Sequence, residues 1–198
     1  MKGLVPRLRA RDVAARYFAH PIARVLIALK ISANMLTLAG FGVAVVAAWL
    51  LADSRLFLGG VVMLAGAVLD MFDGAVARLS GKASTFGAFF DSVMDRLGEA
   101  VVLFGLAVFY MRDTHALGVY LTFGALTASL MVSYLRARAE GLNIPGDVGF
   151  LGRPERIVVL GVALLVGHPV YGLGIIAVVG ALTVLQRAWH VQRVTRGL

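Results

Sequence analysis

The sequence predicts an all-α integral membrane protein: six transmembrane helices behind an N-terminal amphipathic helix at the membrane surface, with both termini cytoplasmic. Three observations carry this. Of the 198 residues, 60% are hydrophobic and only 15% charged, with a mean hydropathy of +0.86; soluble domains are nearer half apolar and a quarter charged. Apolar stretches recur at 35–52, 56–72, 97–111, 116–135, 157–167 and 169–186. Read as crossings, they sort the Lys and Arg residues almost entirely to one side.

Residues 1–30 form the first unit. Arg7, Arg9, Arg11, Arg16, Arg24 and Lys30 are mixed with Val13, Tyr17, Phe18, Ile22, Val25, Leu26 and Leu29. That pattern suits an amphipathic helix on the inner leaflet, broken near Pro21. No compact apolar core with a cleavage site follows the basic start, so it is expected to stay inside.

Residues 31–198 form the six-helix membrane domain. A hydrocarbon core of about 30 Å asks for roughly 20 helical residues. The first, second and fourth stretches meet that length; the third reaches it only by borrowing from the acidic segment before it. "GHP" at 167–169 divides the last two, because one helix over 157–186 would be about 45 Å long with an internal proline. Pro154 is placed to open the fifth helix. Six crossings put 1–30, 73–96, 136–156 and 187–198 inside with 17 of the 19 Lys and Arg, leaving Arg55 and Arg112 outside.

The chain has no cysteine, which excludes disulfides, a thiolate nucleophile and thiolate-bound metal. Its net charge of +8 is dispersed over four inner segments without an aromatic-rich module, so it fits anionic lipid and not nucleic acid.

Five of the eleven acidic residues fall between Asp70 and Ala100. On a helix, Asp70, Asp73, Gly74, Ala77 and Arg78 share one face. Gly81 ends that helix, and Gly87, Asp91 and Asp95 then recur every fourth residue on a second. Four facing carboxylates repel one another, and near a bilayer their desolvation is costly. Oxygen-only donors without His or Cys suit Mg²⁺ or Mn²⁺, and such ions bind phosphate oxygens. Spacing alone leaves open a cation pathway or a solvated structural face.

The same residues resemble the signature of the CDP-alcohol phosphotransferases, D-x2-D-G-x2-A-R-x8-G-x3-D-x3-D, with every spacing met by Asp70, Asp73, Gly74, Ala77, Arg78, Gly87, Asp91 and Asp95. The resemblance implies transfer of the phosphatidyl group of a CDP-lipid to an alcohol, with release of CMP. It implies two divalent ions, one held by Asp70, Asp73 and Asp91, the second with help from Asp95, which would also be the base. Gly74, Ala77, Arg78 and Gly87, with Asp73, would line the CDP-lipid pocket. Asn34 and Thr37 match the family's P-N-x-x-T entry to the first span, with Ala33 in place of proline. Both would contact the nucleotide or cap the helix. A homodimer is implied by the family alone.

The segment Ser133–Glu140, Gly146–Phe150, Arg153–Arg156 and the pair Gln186–Arg187 resemble the phosphatidylinositol-phosphate synthase branch of that family, with Arg136 where lysine is common. The implied donor is CDP-diacylglycerol and the implied acceptor inositol 1-phosphate, its phosphate held by Ser133, Arg136, Arg156 and Arg187. Glycerol 3-phosphate is the alternative acceptor, and a cation transporter the alternative class. Arg138 and Arg153 read as helix-end arginines reaching to lipid headgroups, although with Arg136, Arg156 and Arg187 they would also converge beside the metal site, as suits an acceptor carrying its own phosphate.

Overall fold

The computed structural model describes residues 20–197, all helices and connecting turns. Of the expected amphipathic helix, residues 1–19 lie outside the described residues. The remainder of that segment forms a helix over 20–28 (α1), which seats Ala23, Leu26 and Ile27 against Leu36, Phe72, Ala75 and Val76. Ile22, Val25 and Leu29 point away from the protein, so this short helix has one face on the bundle and one left for a lipid surface.

Six longer helices make the bundle: α2 (Ala33–Ala52), α3 (Leu56–Leu79), α4 (Thr85–Arg112), α5 (Ala116–Glu140), α6 (Arg153–Leu165) and α7 (Pro169–Arg196). Their boundaries follow local chemistry. Ser32 and Ser84 accept hydrogen bonds from Met35 N and Gly87 N, capping α2 and α4. Gly81 and Gly167 adopt φ of +67° and +79° in the turns after α3 and α6, where a side chain would be strained. Pro154 and Pro169 lie in the first turns of α6 and α7, where a missing N–H costs nothing. The turn at 166–168 therefore divides the last two helices as the sequence predicts.

Principal contacts join α2 to α3, α3 to α6, α6 to α7, α7 to α5, α5 to α4, and α4 back to α2. The helices thus close into a ring. Leu51, Leu103, Leu106, Leu164 and Leu173 fill its interior, while Trp49, Phe104, Tyr120, Phe123, Tyr171 and Leu185 stand exposed on its outside. A soluble protein does not present so many large apolar side chains outward; a lipid-facing bundle does.

Four helices, α2, α3, α5 and α7, are long and apolar enough to cross a membrane. The chain is therefore a membrane protein. The other two differ in kind. α4 has 28 residues but carries the acidic segment in its first half, so it gains its length by borrowing from that segment as expected. α6 has 13 residues, about 20 Å at 1.5 Å per residue.

Small residues set how closely the helices pack. A Cβ on Gly105 would fall 2.7 Å from Ala48 Cα, between α4 and α2, and one on Gly60 would fall 2.8 Å from Leu164 Cβ, between α3 and α6. Gly42, by contrast, faces open space, with nothing within 4 Å. Gly105→Ala should therefore cost about 1–3 kcal/mol, whereas Gly42→Ala should be neutral or gain up to about 1 kcal/mol from helix propensity. Melting of the two variants in detergent checks this; equal melting points would contradict the packing.

Candidate active site

One end of the ring collects the polar residues. α2 brings Asn34 and Thr37, α3 brings Asp70 to Arg78, α4 brings Gly87 to Glu99, and the near ends of α5, α6 and α7 bring Ser133, Arg156 and Arg187. The four motif carboxylates meet there in two couples. Asp73 is buried, receives the Thr37 hydroxyl at 2.9 Å and the Gly74 N–H, and lies within hydrogen-bonding reach of Asp91. Asp70 and Asp95 are joined by Arg153, whose Nη2 donates to Asp70 at 2.8 Å while its Nη1 lies 2.7 Å from Asp95 Oδ2. Asp95 also feels the charges of Asp91 and Asp70, which links the couples.

Arg153 is thus no headgroup-seeking arginine. α6 begins at the level of the acids, and its first residue turns into the ring because two unbalanced carboxylates attract it more strongly than water does. Arg138 is exposed, in keeping with its reading.

The acids form a partition between two recesses. On one side a groove of about 270 Å³ is lined by Asn34, Thr37, Asp73, Gly74, Ala77, Arg78, Gly87 and Asp91. Glycines keep it open. A Cβ on Gly87 would fall 3.1 Å from Ser84 Oγ and 3.5 Å from Asn34 Oδ1, and one on Gly74 would fall 3.2 Å from Arg78 Nη1. Arg78 and Lys82 supply positive charge at its rim.

On the other side lies a cavity of about 60 Å³ reached by Asp70, Asp95, Glu99, Ser129, Arg153 and Arg156, and closed inward by apolar residues. Arg156 is 1% exposed. Its Nε and Nη2 donate to Glu99 at 2.7 and 2.8 Å, and Nη2 reaches Ser133 Oγ at 3.5 Å. Its Nη1 is buried without a partner, as is Ser129 Oγ. Unpaired buried donors of this kind are costly unless a ligand or water completes them.

The remaining acceptor candidates are engaged differently. Arg187 donates to the carbonyls of Val148 and Val132, pinning the α5–α6 connection to α7. Arg136 is exposed and paired with Glu140 at 2.9 Å and Asp147 at 3.6 Å. Arg156 reaches Ser133, and the charges of Arg136 and Arg156 both act on Arg187.

The donor set fits a hard divalent ion: four carboxylates, no nitrogen or sulfur, and excess negative charge at one level. As the side chains stand, no three acids or histidines among the described residues are grouped closely enough to hold an ion. The two couples would have to draw together around it.

Three contributors escaped sequence reasoning. Glu99 continues the stripe of Gly87, Asp91 and Asp95 by one more turn, a signal that was legible. Arg153 was visible as a helix-end charge or as one of several arginines near an acceptor phosphate, not as a bridge between two acids. Gly40 gave no signal: it lies under Asp70, where any Cβ would collide with the carboxylate oxygen.

The family model for CDP-alcohol phosphatidyltransferase matches residues 30–189. The chain is 36% identical to the archaetidylinositol phosphate synthase of Pyrococcus horikoshii over 174 residues, covering 87% of this chain and 89% of that protein. Its structure resembles the crystal structure of Mycobacterium tuberculosis phosphatidylinositol phosphate synthase with CDP-DAG bound, at a TM-score of 0.81 and 33% identity, covering 88% of this chain and 94% of the other. The same mycobacterial enzyme in complex with manganese and citrate gives a TM-score of 0.81 at 31% identity, covering 88% and 89%. Motif, ring and relatives agree, and the chain belongs to the CDP-alcohol phosphatidyltransferase family.

Proposed function

We propose that this protein transfers the phosphatidyl group of CDP-diacylglycerol, or a related CDP-linked lipid, to a hydroxyl of inositol 1-phosphate, giving phosphatidylinositol phosphate and CMP. The observation that carries the reading is the acid partition, with a groove on one face and an arginine-bearing cavity on the other. Displacement at phosphorus needs the attacking oxygen and the leaving group on opposite sides. The groove would hold the nucleotide, with Asn34, Thr37, Gly74, Ala77, Arg78 and Gly87 around cytidine and diphosphate. The cavity side would receive the acceptor.

Asp95 lines the cavity and would take the proton of the attacking hydroxyl. The new bond joins that oxygen to the phosphorus bearing the diacylglycerol; the bond to the bridging oxygen breaks, and CMP leaves with the electron pair. Asp70, Asp73 and Asp91 would hold one Mg²⁺ or Mn²⁺, and Asp95 would help hold a second. When bound, these ions neutralise the diphosphate and the departing charge. Arg156, with its free Nη1, would take a phosphate oxygen of the acceptor, beside Ser133, Arg136 and Arg187.

The relatives support this acceptor by name, and the family's chemistry supports a membrane setting. We infer six crossings, because α4 and α6 each lie between helices that cross. An even number returns both ends to one side, which the positive-inside distribution makes cytoplasmic, with the active site facing the cytoplasm. The helix over 20–28 would lie along that surface, and the catalytic domain, 31–198, would work as a homodimer.

Asp95→Asn should remove at least about 100-fold of the turnover, the scale of a lost general base, while leaving CDP-lipid binding measurable; rates near wild type would refute its role. CMP release from CDP-diacylglycerol with Mg²⁺ should be fastest with inositol 1-phosphate when compared with inositol, serine and glycerol 3-phosphate. Preference for glycerol 3-phosphate would overturn the acceptor.

A further inference from the structure

Arg153 opens α6 and touches two other helices at once. Its Nη2 and Nη1 engage Asp70 on α3 and Asp95 on α4 at 2.8 and 2.7 Å. Its third donor, Nε, is buried without a partner. The side chain remains 28% exposed, so it has an outlet and is not locked into the core. Arg96 is the other cation beside Asp95 among the described residues; it stands 3.9 Å away and gives its Nη1 to the Ser92 carbonyl.

A divalent ion binds carboxylate oxygens at about 2.0–2.2 Å and needs their lone pairs. Asp70 and Asp95 each give an Oδ2 lone pair to Arg153, and that bridge fixes how both carboxylates are turned. An ion that draws these acids around itself must compete with the guanidinium for the same oxygens. A single positive charge also balances only part of the four-carboxylate cluster, whereas an ion balances two and lets the couples close.

We propose that Arg153 is a resident counter-ion of the acid cluster, a positioning residue that holds Asp70 and Asp95 together until the divalent ion displaces it. The proposal rests on the metal-dependent reading given above. Its consequence is a competition: the arginine stabilises the ion-free protein and weakens ion binding by the same interaction.

Mn²⁺ binding to the purified full-length protein in detergent, followed by electron paramagnetic resonance, measures that competition. Arg153→Gln should bind Mn²⁺ at least about fivefold more tightly than wild type, the lower end of a typical coupling between sites. Arg96→Gln removes the same charge beside the same carboxylate without freeing a bridge, and should change affinity less than about twofold, as weak, partly exposed pairs do. In chelator, Arg153→Gln should melt below wild type, and saturating Mn²⁺ should close the gap. Arg153→Lys, which keeps the charge but cannot span both acids, should also bind Mn²⁺ more tightly than wild type. It carries the comparison if the glutamine variant does not fold. The proposal is overturned if the position 153 variants bind no more tightly than wild type, if Arg96→Gln gains as much, or if the stability gap survives saturating Mn²⁺. Wild-type protein that binds no Mn²⁺ would overturn the functional reading as well; binding without a gain in the variants would overturn this inference alone.

Discussion

Repulsion among four carboxylates at one level of a membrane bundle is the constraint around which the rest of the structure is arranged. Left in apolar surroundings, such a cluster would protonate or push its helices apart. Here the couples are held by different means. Asp73 is satisfied by Thr37 and the Gly74 N–H, both fixed by helix geometry. Asp70 and Asp95 are held by a guanidinium delivered from a third helix. Close packing of α2 against α3 and α4 then becomes essential. The fits at Gly105 and Gly40 are the means by which the chain forces its acids into one place.

That forced meeting creates the two-sided site. The i, i+3 spacing of Asp70 and Asp73 splays them slightly around α3, and the i, i+4 spacing of Asp91 and Asp95 does the same on α4. Where the helices face each other, one acid of each pair turns to the groove and the other to the cavity. A partition of negative charge with access from both faces is what a phosphoryl group needs if it is to be approached from one side and left from the other.

Much of this was legible in the sequence because it depends on local rules. The helix ends at Gly81, Pro154 and the turn at 166–168 follow from backbone chemistry, and the acids' shared face follows from helical periodicity; the cap of α2 falls on Ser32 and not on Asn34 or Thr37. What could not be read depends on how helices lie against one another. The pairing of Asp73 with Asp91 and of Asp70 with Asp95 is set by the register of α3 on α4. The inward turn of Arg153 is set by where α6 begins relative to both. A helix-end arginine looks the same in a sequence whether it faces lipid headgroups or a cluster of acids.

Glu99 and Arg156 show why the site favours an anionic substrate over a passing cation. A lone buried guanidinium would be expensive, and Glu99 offsets that cost while occupying only Nε and Nη2. The donor left over is buried with nothing to bond, on a residue that lines the cavity. A conduit for ions would continue that polarity through the bundle. Instead the ring interior beyond the cavity is filled by Leu103, Leu106, Leu164 and Leu173, each no more than 1% exposed, and no chain of charges crosses them among the described residues. The acids face a closed floor, so whatever enters must leave by the side from which it came, as substrates and products do.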